Sequence, residues 1–335
     1  MSRIHIINQY VYPDGSPVCL ISEQTANYLF NEHKADVVMV GGAGEYRPSS
    51  RPKPHFPITN LPTASFKRET MIDILKEYFA VYGAFKKYVK ANVKEGDTLV
   101  ITSSPFLNVM LRNLVNKKKV KTIFWLFDYF PASVKSMKIP FLYNLIKTWW
   151  DRELKKYDSV IKISSNLGYF EKNSVVLRQW NMIDIQPDSS IIPERKALYT
   201  GNLGIAHDVE SLAKECEKLR NDGYEINIHA DGPGLEKLPD WLKAKSRGIF
   251  KNADDLIRAL HEHEIHLITG TPGTDELSFP SKSWNSIASG RKLIACGFSG
   301  MMLEELEMSL KADYKKHLPD CADFILEQSK IKKQP

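Results

Sequence analysis

The stretch from Phe279 to Cys296, FPSKSWNSIASGRKLIAC, places a lysine among hydroxyl and amide side chains at a predicted loop-to-helix junction. Ser281 is of a residue type that caps helices well, and Lys282 then lies in the first helical turn. Gly290 ends the predicted helix, and Lys292–Cys296 is short and apolar, as in a buried parallel strand. A helix N-terminus with a lysine in its first turn suits a phosphate, although an ordinary βαβ corner with an exposed lysine fits the same pattern.

Length and composition favour a soluble protein of two domains. The chain has 335 residues, enough for two domains that each have a core. Its 43% hydrophobic and 26% charged residues are ordinary for a globular protein. No apolar run approaches the roughly 20 residues that cross a bilayer. The N-terminus MSRIHII lacks the apolar core of a signal peptide and is typical of a first strand, so we expect a cytoplasmic protein.

Cysteine spacing and net charge exclude further classes. The four cysteines are scattered without a C-x-x-C pair, which predicts reduced thiols and neither a disulfide framework nor a zinc site: Cys19, Cys216, Cys296 and Cys321. The net charge of +6 suits phosphate-bearing ligands or an anionic membrane surface. No compact basic stripe is interleaved with base-stacking aromatics, which argues against nucleic acid as a partner.

Predicted strands and helices alternate along both halves of the chain. The strands are predicted at Arg3–Ile7, Asp36–Val40, Thr98–Thr102, Lys121–Phe127, Ser159–Ile163, Lys196–Thr200, Glu225–Ala230, Ile265–Thr269 and Lys292–Cys296. The helices are predicted to end near Asn31 and to cover Thr70–Lys94, Pro140–Lys156 and Asp208–Asp222. This alternation predicts an α/β fold with parallel sheets, in which ligands bind where strands end and helices begin.

A glycine-rich segment after the second strand does not fit a dinucleotide site. Gly41-Gly-Ala-Gly44 has the wrong spacing, and no helical pattern follows it. Instead we expect a loop that is broken by Pro48, Pro52, Pro54, Pro57 and Pro62. A Rossmann-type dehydrogenase is therefore unsupported.

Three loops resemble loops of the family-4 glycosyltransferases. The loop Pro280–Lys282 leads into a helix ending in Ala288–Gly290 and then into an apolar strand, as at the donor site of that family. Gly201–Gly204, GNLG, resembles the family's Y-x-G-N-x-G loop. Gln9–Gly15, QYVYPDG, resembles the Q-Y-x-Y-P-(D/E)-x-G opening of a subgroup that includes enzymes making bacterial surface polysaccharides and O-antigen.

The resemblance implies the GT-B fold, two Rossmann-like α/β domains that face each other across a cleft. Residues 1–184 would form the acceptor-side domain and residues 185–195 the linker. Residues 196–318 would bind the nucleotide sugar, and residues 319–335 would form a C-terminal helix and a basic tail.

The resemblance also implies an activity, the retaining transfer of a hexosyl group from a nucleoside-diphosphate sugar to a saccharide or lipid-linked acceptor. Lys282 would be the catalytic cation that holds the leaving phosphate. The other donor-binding residues implied are Gly201, Asn202, Gly204, Phe250, Lys251, Glu276, Pro280, Ser281 and Asn285.

The implied acceptor side lies in the N-terminal half. It comprises the loop residues Tyr12, Asp14 and Gly15, for which a rigid turn with packed tyrosines is the alternative. Asp128 follows a predicted strand in a segment that resembles the family's D-x-x-P and would contact an acceptor hydroxyl. It could equally cap the next turn, as aspartates often do.

No metal or other cofactor is expected. The chain contains no D-x-D, the motif by which another large glycosyltransferase fold holds a metal, so Lys282 and helix termini would neutralise the diphosphate. His261, His263 and His266 straddle a helix end and a strand start, and no carboxylate or cysteine lies at ligand spacing.

The chain departs from the family pattern at one pair of residues. Many members carry two glutamates seven residues apart, which serve the donor sugar and the ribose. Here the second position is Asn285 and the first is Leu277, with Glu276 one place away. The alternative function is therefore a weak or inactive sugar-nucleotide-binding pseudoenzyme that acts as a partner subunit, and a GT-B sugar-nucleotide epimerase is a weaker third interpretation.

The predicted helix Thr70–Lys94 has a mixed basic and aromatic surface. It could be a peripheral face that contacts an anionic membrane, which would place the protein at the inner face of that membrane. An amphipathic helix with its aromatics inside and its lysines in water is the alternative.

Overall fold

The computed structural model describes residues 2–42, 51–63, 70–116, 119–135, 140–204, 207–273 and 275–331. The chain divides into two compact units, Met1–Gln179 with Lys315–Pro335 and Trp180–Tyr314. The division lies at residue 179 instead of the predicted 184, and the C-terminal segment belongs to the first unit. A hydrogen bond of 2.6 Å between the ring Nδ1 of His317 and the carbonyl of Gln179 joins the two ends of that unit.

The first unit is built on a seven-stranded parallel sheet with the order β3-β2-β1-β4-β5-β6-β7. Its central strands are buried along nearly their whole length, which is why they read as continuous apolar runs in the sequence. The strands are β1 Ile4–Ile7, β2 Val37–Gly42, β3 Ile58–Leu61, β4 Thr98–Thr102, β5 Lys121–Leu126, β6 Ser159–Lys162 and β7 Ser174–Val176.

The segment that we expected to be a loop broken by prolines contains the strand β3, so the prediction of a loop was wrong at these residues. Because β3 lies at the edge of the sheet, it pairs only with β2 and tolerates the prolines that flank it. The carbonyl of Pro57 even accepts a hydrogen bond of 3.0 Å from the N–H of Met39. Pro48 and the end of the glycine-rich segment lie outside the described residues.

Three elements of the first unit pack side by side on one face of its sheet. They are α2 Met71–Asn92, a 3-10 helix at Phe106–Leu114 and α4 Pro140–Leu154, which is preceded by α3 Phe130–Lys135. Phe106 stacks on Phe130 with 4.0 Å between ring centroids and also contacts the buried Trp150. The first helix, α1 Pro17–Asn31, follows β1, which places it on the opposite face if the crossovers are right-handed.

The second unit has a four-stranded parallel sheet with the order β11-β10-β8-β9. Its strands are β8 Glu194–Asn202, β9 Glu225–Asp231, β10 His263–Thr269 and β11 Lys292–Cys296. Its α-helices are α5 Val209–Asn221, α6 Asp240–Lys243, α7 Ala253–Glu262, α8 Lys282–Ala288 and α9 Gly300–Lys311. The parallel pairing of β11 was predicted, but this strand lies at an edge and only Cys296 in it is buried.

The last helix, α10 His317–Lys330, returns to the first unit. It packs on α1 and β5 through its fully buried residues Cys321, Ala322 and Ile325. The hydroxyl of Ser159 also donates to the side-chain carbonyl of Gln328 at 3.2 Å. None of the helices in the described ranges is long and apolar enough to span a bilayer.

We expect Ile325→Ala to lower the free energy of unfolding by about 2–5 kcal/mol, because it removes buried methylenes and leaves a cavity. Urea denaturation of the full chain measures this loss. The control Ile331→Ala changes the same residue type at a 53% exposed position and should shift stability by no more than about 0.5 kcal/mol. Equal effects of both substitutions would contradict the packing of α10 on the first unit.

Candidate functional site

In the second unit, the candidate site lies where the strand order reverses. The chain passes from β8 to β9 on one side and then returns to β10 on the other, so β8 and β10 diverge at their carboxyl ends. Open parallel sheets bind ligands in this crevice. Gly201 and Asn202 end β8, and Thr269 ends β10. Two of these residues were predicted to bind a donor.

Lys282 reaches this point from α8 and passes directly over Gly201. A Cβ atom at Gly201 would lie only 2.5 Å from Nζ of Lys282, and the φ of Gly201 is +103°, so a side chain is excluded on two grounds. Nζ donates to the carbonyl of Asn202 at 3.1 Å and lies 5.2 Å from the ring centroid of Tyr199. The structure therefore brings together the predicted cation and the predicted glycine loop.

Tyr199 is a site residue that sequence reasoning missed. Its ring lies beneath the ammonium of Lys282, and its hydroxyl donates to the same Asn202 carbonyl at 3.0 Å. Burial raises the pKa of Tyr199 far above its usual value, so the hydroxyl stays protonated as a donor. The tyrosine of the Y-x-G-N-x-G pattern was the available signal.

The loop after β8 is held by a neutral histidine. The N–H of Gly204 donates to Nδ1 of His207 at 3.0 Å. Burial and, second, the positive charge of Lys282 lower the pKa of His207 to about 4. The imidazole therefore accepts this hydrogen bond near neutral pH without adding a second positive charge beside Lys282.

The start of α5 is capped by the protein itself. Asp208 accepts hydrogen bonds from the N–H and the hydroxyl of Ser211 at 3.0 and 2.7 Å, which help to lower the pKa of its carboxyl group against the effect of burial. One of the helix N–H groups that were expected to face a diphosphate is thus already satisfied.

The loops after β8 and β10 line one cavity of about 970 Å³. The predicted donor residue Gly204 contributes to it with His207 and Asp208, and Thr271 and Pro272 contribute from the loop after β10. Lys282 is not among the lining residues of this cavity. The hydroxyl of Thr269 fastens the second loop to the first by donating to the carbonyl of Asp208 at 2.8 Å.

The expectation that Ser281 caps α8 was wrong. Ser281 has helical dihedral angles, and its side chain makes no capping hydrogen bond. Ser283 is hydrogen-bonded instead, since its N–H and its hydroxyl both donate to the carbonyl of Pro280, at 2.9 and 2.6 Å. Gly290 ends the helix as predicted, with φ at +72°.

Asn285 lies one turn after Lys282 on α8. Its Oδ1 is buried and has no hydrogen-bond partner among the described residues. An amide oxygen held in this way can accept a ligand hydroxyl, which is what the ribose role requires. Glu276 is half-buried in the loop before α8, and its role stays a prediction.

Phe250 and Lys251, two of the predicted donor-binding residues, lie beside β9. The ring of Phe250 stacks on His229 with 4.0 Å between centroids, and Lys251 is exposed. Both line a separate cavity of about 510 Å³, together with residues of α7. Phe250 also packs against the small core around Leu198 and Ala259. Nothing in these contacts connects the two residues with Lys282.

In the first unit, the predicted acceptor residues follow β1. Asp14 is buried, and its carboxylate accepts the N–H of Ser16 at 2.8 Å, which closes a local turn beside Gly15. The guanidinium of Arg51 lies 5.4 Å from the ring centroid of Tyr12, donates to the carbonyl of Pro13 and pairs with Glu23 at 2.7 Å. These contacts fit the rigid-turn alternative, and an acceptor role for the loop stays a prediction.

Asp128 is exposed at the end of β5. Its N–H and that of Phe127 both donate to the hydroxyl of Ser103 at 3.1 Å. The backbone at Asp128 is thereby tied to the end of β4, while its carboxylate can meet a ligand.

A buried polar network at the β1–β4 reversal was also missed. The side-chain amide of Gln9 donates to Glu77 at 2.6 Å, and the hydroxyl of Tyr10 donates to the same carboxylate oxygen at 2.7 Å. The hydroxyl of Ser104 donates to Oε1 of Gln9 at 2.7 Å. Gln9 belonged to the motif already noted, whereas Glu77 on α2 gave no sequence signal.

Two of the three histidines of the metal hypothesis have ring partners in the protein backbone. The rings of His263 and His266 hydrogen-bond the carbonyls of Ala259 and Leu260, at 2.6 and 3.0 Å. Within the described part of the chain, no group of three or more His, Cys, Asp or Glu residues is arranged to hold a metal ion.

Comparison with solved structures identifies the fold. The lipopolysaccharide outer core galactosyltransferase WaaB aligns with 98% of this chain and 94% of its own, at 12% identity and a TM-score of 0.55. The pneumococcal O-GlcNAc transferase GtfA, solved with UDP and GlcNAc, aligns over 98% and 95%, at 10% identity and a TM-score of 0.57. This chain has the GT-B fold.

The same fold is found in trehalose-6-phosphate synthase, studied for glycosyl transfer with retention. It aligns over 98% of this chain and 96% of its own, at 12% identity and a TM-score of 0.54. No protein-family model and no curated protein sequence matches the chain. The GT-B likeness confirms the predicted fold, and activity has to be argued from the site.

We expect His207 to remain neutral down to about pH 4. Because the native fold disfavours its protonation, the unfolded chain binds more protons between about pH 4 and 6.5. The resulting contribution to stability is therefore complete above pH 6.5 and is lost as the pH falls through this window. An NMR titration of the imidazole resonances measures the pKa directly.

Lys282→Met should raise the pKa of His207, because it removes the second cause of the depression. Lys214→Met is the matched control, since Lys214 is also a lysine of this unit but is not a cause of the shift. A pKa near 6.5 in the unaltered chain would show that the Gly204–His207 contact does not hold the ring.

Proposed function

We propose that this protein is a glycosyltransferase that moves a hexosyl group from a nucleoside-diphosphate sugar to a saccharide or lipid-linked acceptor. One observation carries the proposal, the passage of the Lys282 ammonium over Gly201 at the strand reversal of a GT-B sheet. A cation and a glycine backbone at that place suit a diphosphate. The resemblance to family-4 glycosyltransferases, including the bacterial surface-polysaccharide subgroup, gives further support.

In the proposed reaction, Lys282 stabilises the charge that grows on the leaving phosphate. An ammonium fixed before the reaction is effective because it meets charge that develops in the transition state. The Asn202 carbonyl and the Tyr199 ring hold the ammonium in place. The absence of a side chain at Gly201 makes room for Lys282, which would meet the diphosphate there.

We further propose that the anomeric configuration is retained and that no metal takes part. The likeness to trehalose-6-phosphate synthase, studied for transfer with retention, supports the first point. Same-face attack with the departing phosphate as base requires no protein nucleophile, and we assign none. Asp128, exposed at the end of β5, would contact the acceptor hydroxyl.

The replacement of a glutamate by Asn285 favours a second candidate, a sugar-nucleotide-binding pseudoenzyme. A neutral amide can still hydrogen-bond a ribose, but without the added strength of a charged acceptor. A thermal-shift screen over nucleoside-diphosphate sugars identifies a donor for either function, because a bound ligand stabilises the native state. Incubation of that donor with candidate saccharide and lipid-linked acceptors then separates the two, since only an enzyme consumes it.

The first prediction of this proposal is that turnover continues in EDTA. The charge of Lys282 would replace that of a metal ion, so added Mg²⁺ or Mn²⁺ should change the rate little. The rate is measured with the donor from the screen, before and after chelation. A large loss in EDTA that is restored by metal would refute the assignment of the phosphate to Lys282.

The second prediction separates catalysis from binding. Lys282→Ala should lower kcat and kcat/KM together by roughly a hundred- to a thousandfold, about 2.7–4 kcal/mol, because its contact strengthens in the transition state. Asn285→Ala should mainly raise KM, by the roughly 0.5–1.5 kcal/mol of a neutral hydrogen bond. Asn285→Glu should keep activity or improve donor binding.

Steady-state kinetics on the purified variants measures both effects, with circular dichroism to verify folding. Lys292→Ala is the matched control, because Lys292 is exposed at the start of β11 and should leave kcat unchanged. A near-normal kcat for Lys282→Ala would mean that the phosphate is held elsewhere and that α8 is scaffolding.

A further inference from the structure

One side of α2 carries two groups of exposed residues, which are separated by the partly or fully buried residues 80–85. Ile72, Leu75 and Phe79 are exposed in the first group, at 64%, 40% and 60%, with Lys76 beside them. The second group continues the same helical spacing with three exposed lysines, Lys86, Lys87 and Lys90. Apolar and basic groups are thus segregated along one helix, a pattern that solvation alone does not require. We call these seven residues the α2 stripe.

The acidic residues of α2 do not neutralise the stripe. The helix contains only Asp73 and Glu77. Asp73 closes the capping box with Thr70, accepting both its N–H and its hydroxyl at 3.2 and 2.8 Å. Glu77 is buried on the opposite side, against Gln9. The four lysines of the stripe therefore present their charge outward.

The burial of the α2 side chains bears on both earlier interpretations of this helix. Phe85 and Tyr88 are buried, so part of the aromatic pattern does face the core. Phe79 is not, and the apolar residues one turn before it are exposed as well. The helix has two apolar faces, and only one of them is covered by the first unit.

A second helix in the same layer repeats the feature. Phe141 and Leu145, near the start of α4, are 79% and 57% exposed. Both α2 and α4 pack on the 3-10 helix Phe106–Leu114, and both connect parallel strands. Crossover helices run antiparallel to their strands, so the first turns of α2 and α4 lie toward the carboxyl edge of the sheet. The two apolar groups therefore share one layer and one edge.

We propose that the α2 stripe, with Phe141 and Leu145, docks this protein on the surface of an anionic lipid bilayer. The exposed apolar side chains would insert at the boundary of the acyl region, and the lysines would contact the anionic head groups. A protein partner would need shape complementarity that a convex helix with three adjacent lysines does not offer. The inference is independent of the proposed function and concerns only the first unit.

The test is flotation of the full chain with vesicles of phosphatidylcholine alone and with vesicles that contain about 30% phosphatidylglycerol, an anionic lipid. We expect binding only to the anionic vesicles, and weaker binding in high salt because ions screen the attraction. Lys86→Glu, Lys87→Glu and Lys90→Glu combined should lower the partition coefficient by about a hundredfold or more. Ile72→Ser with Phe79→Ser should abolish binding while leaving the lysines in place.

Matched controls separate the stripe from net charge. Lys237→Glu, Lys245→Glu and Lys311→Glu combined change exposed lysines of the second unit and lower the formal charge from +6 to zero, as the stripe variant does. Ile192→Ser alters an 87% exposed apolar residue outside the stripe. Both controls should float like the unaltered chain, and circular dichroism verifies that all variants fold.

Three outcomes would overturn the proposal. If the stripe variant and the charge control lose vesicle binding to the same extent, the attraction depends only on net charge. If the protein floats equally with neutral and anionic vesicles, or with neither, an anionic surface is excluded. A dimer seen by light scattering that dissociates in the Ile72→Ser and Phe79→Ser variant, without any flotation, would identify the occupant as a second copy of this chain.

Discussion

The crossing of a lysine over a glycine determines how the second unit's sheet edge is built. Because the Lys282 side chain occupies the space next to the Gly201 Cα, the next-to-last position of β8 requires a residue without a side chain that tolerates positive φ. The Asn202 carbonyl accepts a hydrogen bond from the ammonium. Burial and, second, the charge of Lys282 lower the pKa of the neighbouring His207 and keep it neutral. Loop, histidine and helix α8 are thus arranged around one cation, a type of group suited to an anionic ligand.

The first unit applies the same parallel-sheet topology with the opposite electrostatics. At its strand reversal, Gln9 and Tyr10 both donate hydrogen bonds to the carboxylate of Glu77, and Ser104 donates to Gln9. A buried carboxylate is tolerated only when such donors surround it, and the resulting network is rigid. The two strand reversals therefore hold different charged groups, a lysine in the second unit and a glutamate in the first.

The sequence predicted the central strands well, because parallel strands buried on both faces read as short apolar runs. It failed at β3, an edge strand in which only one side is paired and prolines are tolerated.

Lys282 and Gly201 were found through loop motifs, yet their contact spans about 80 residues and no local pattern reveals it. Glu77 was invisible for the same reason, since a glutamate in a helix reads as solvent-exposed until the fold places Gln9 against it. Ser281 was misassigned because Ser283, two residues later, makes the hydrogen bonds to Pro280.

Helix α2 shows why periodicity alone cannot assign a function to a surface. Its spacing places one apolar group around Phe85 and Tyr88 and another around Ile72 and Phe79, and hydrophobicity does not distinguish them. Only tertiary packing reveals which group the sheet covers. Burying the second group in a bilayer would stabilise it at roughly 25 cal/mol per Å² of apolar area removed from water. That gain, with the lysines beside it, gives the uncovered face of α2 a physical reason to exist at the edge where the first unit's polar network lies.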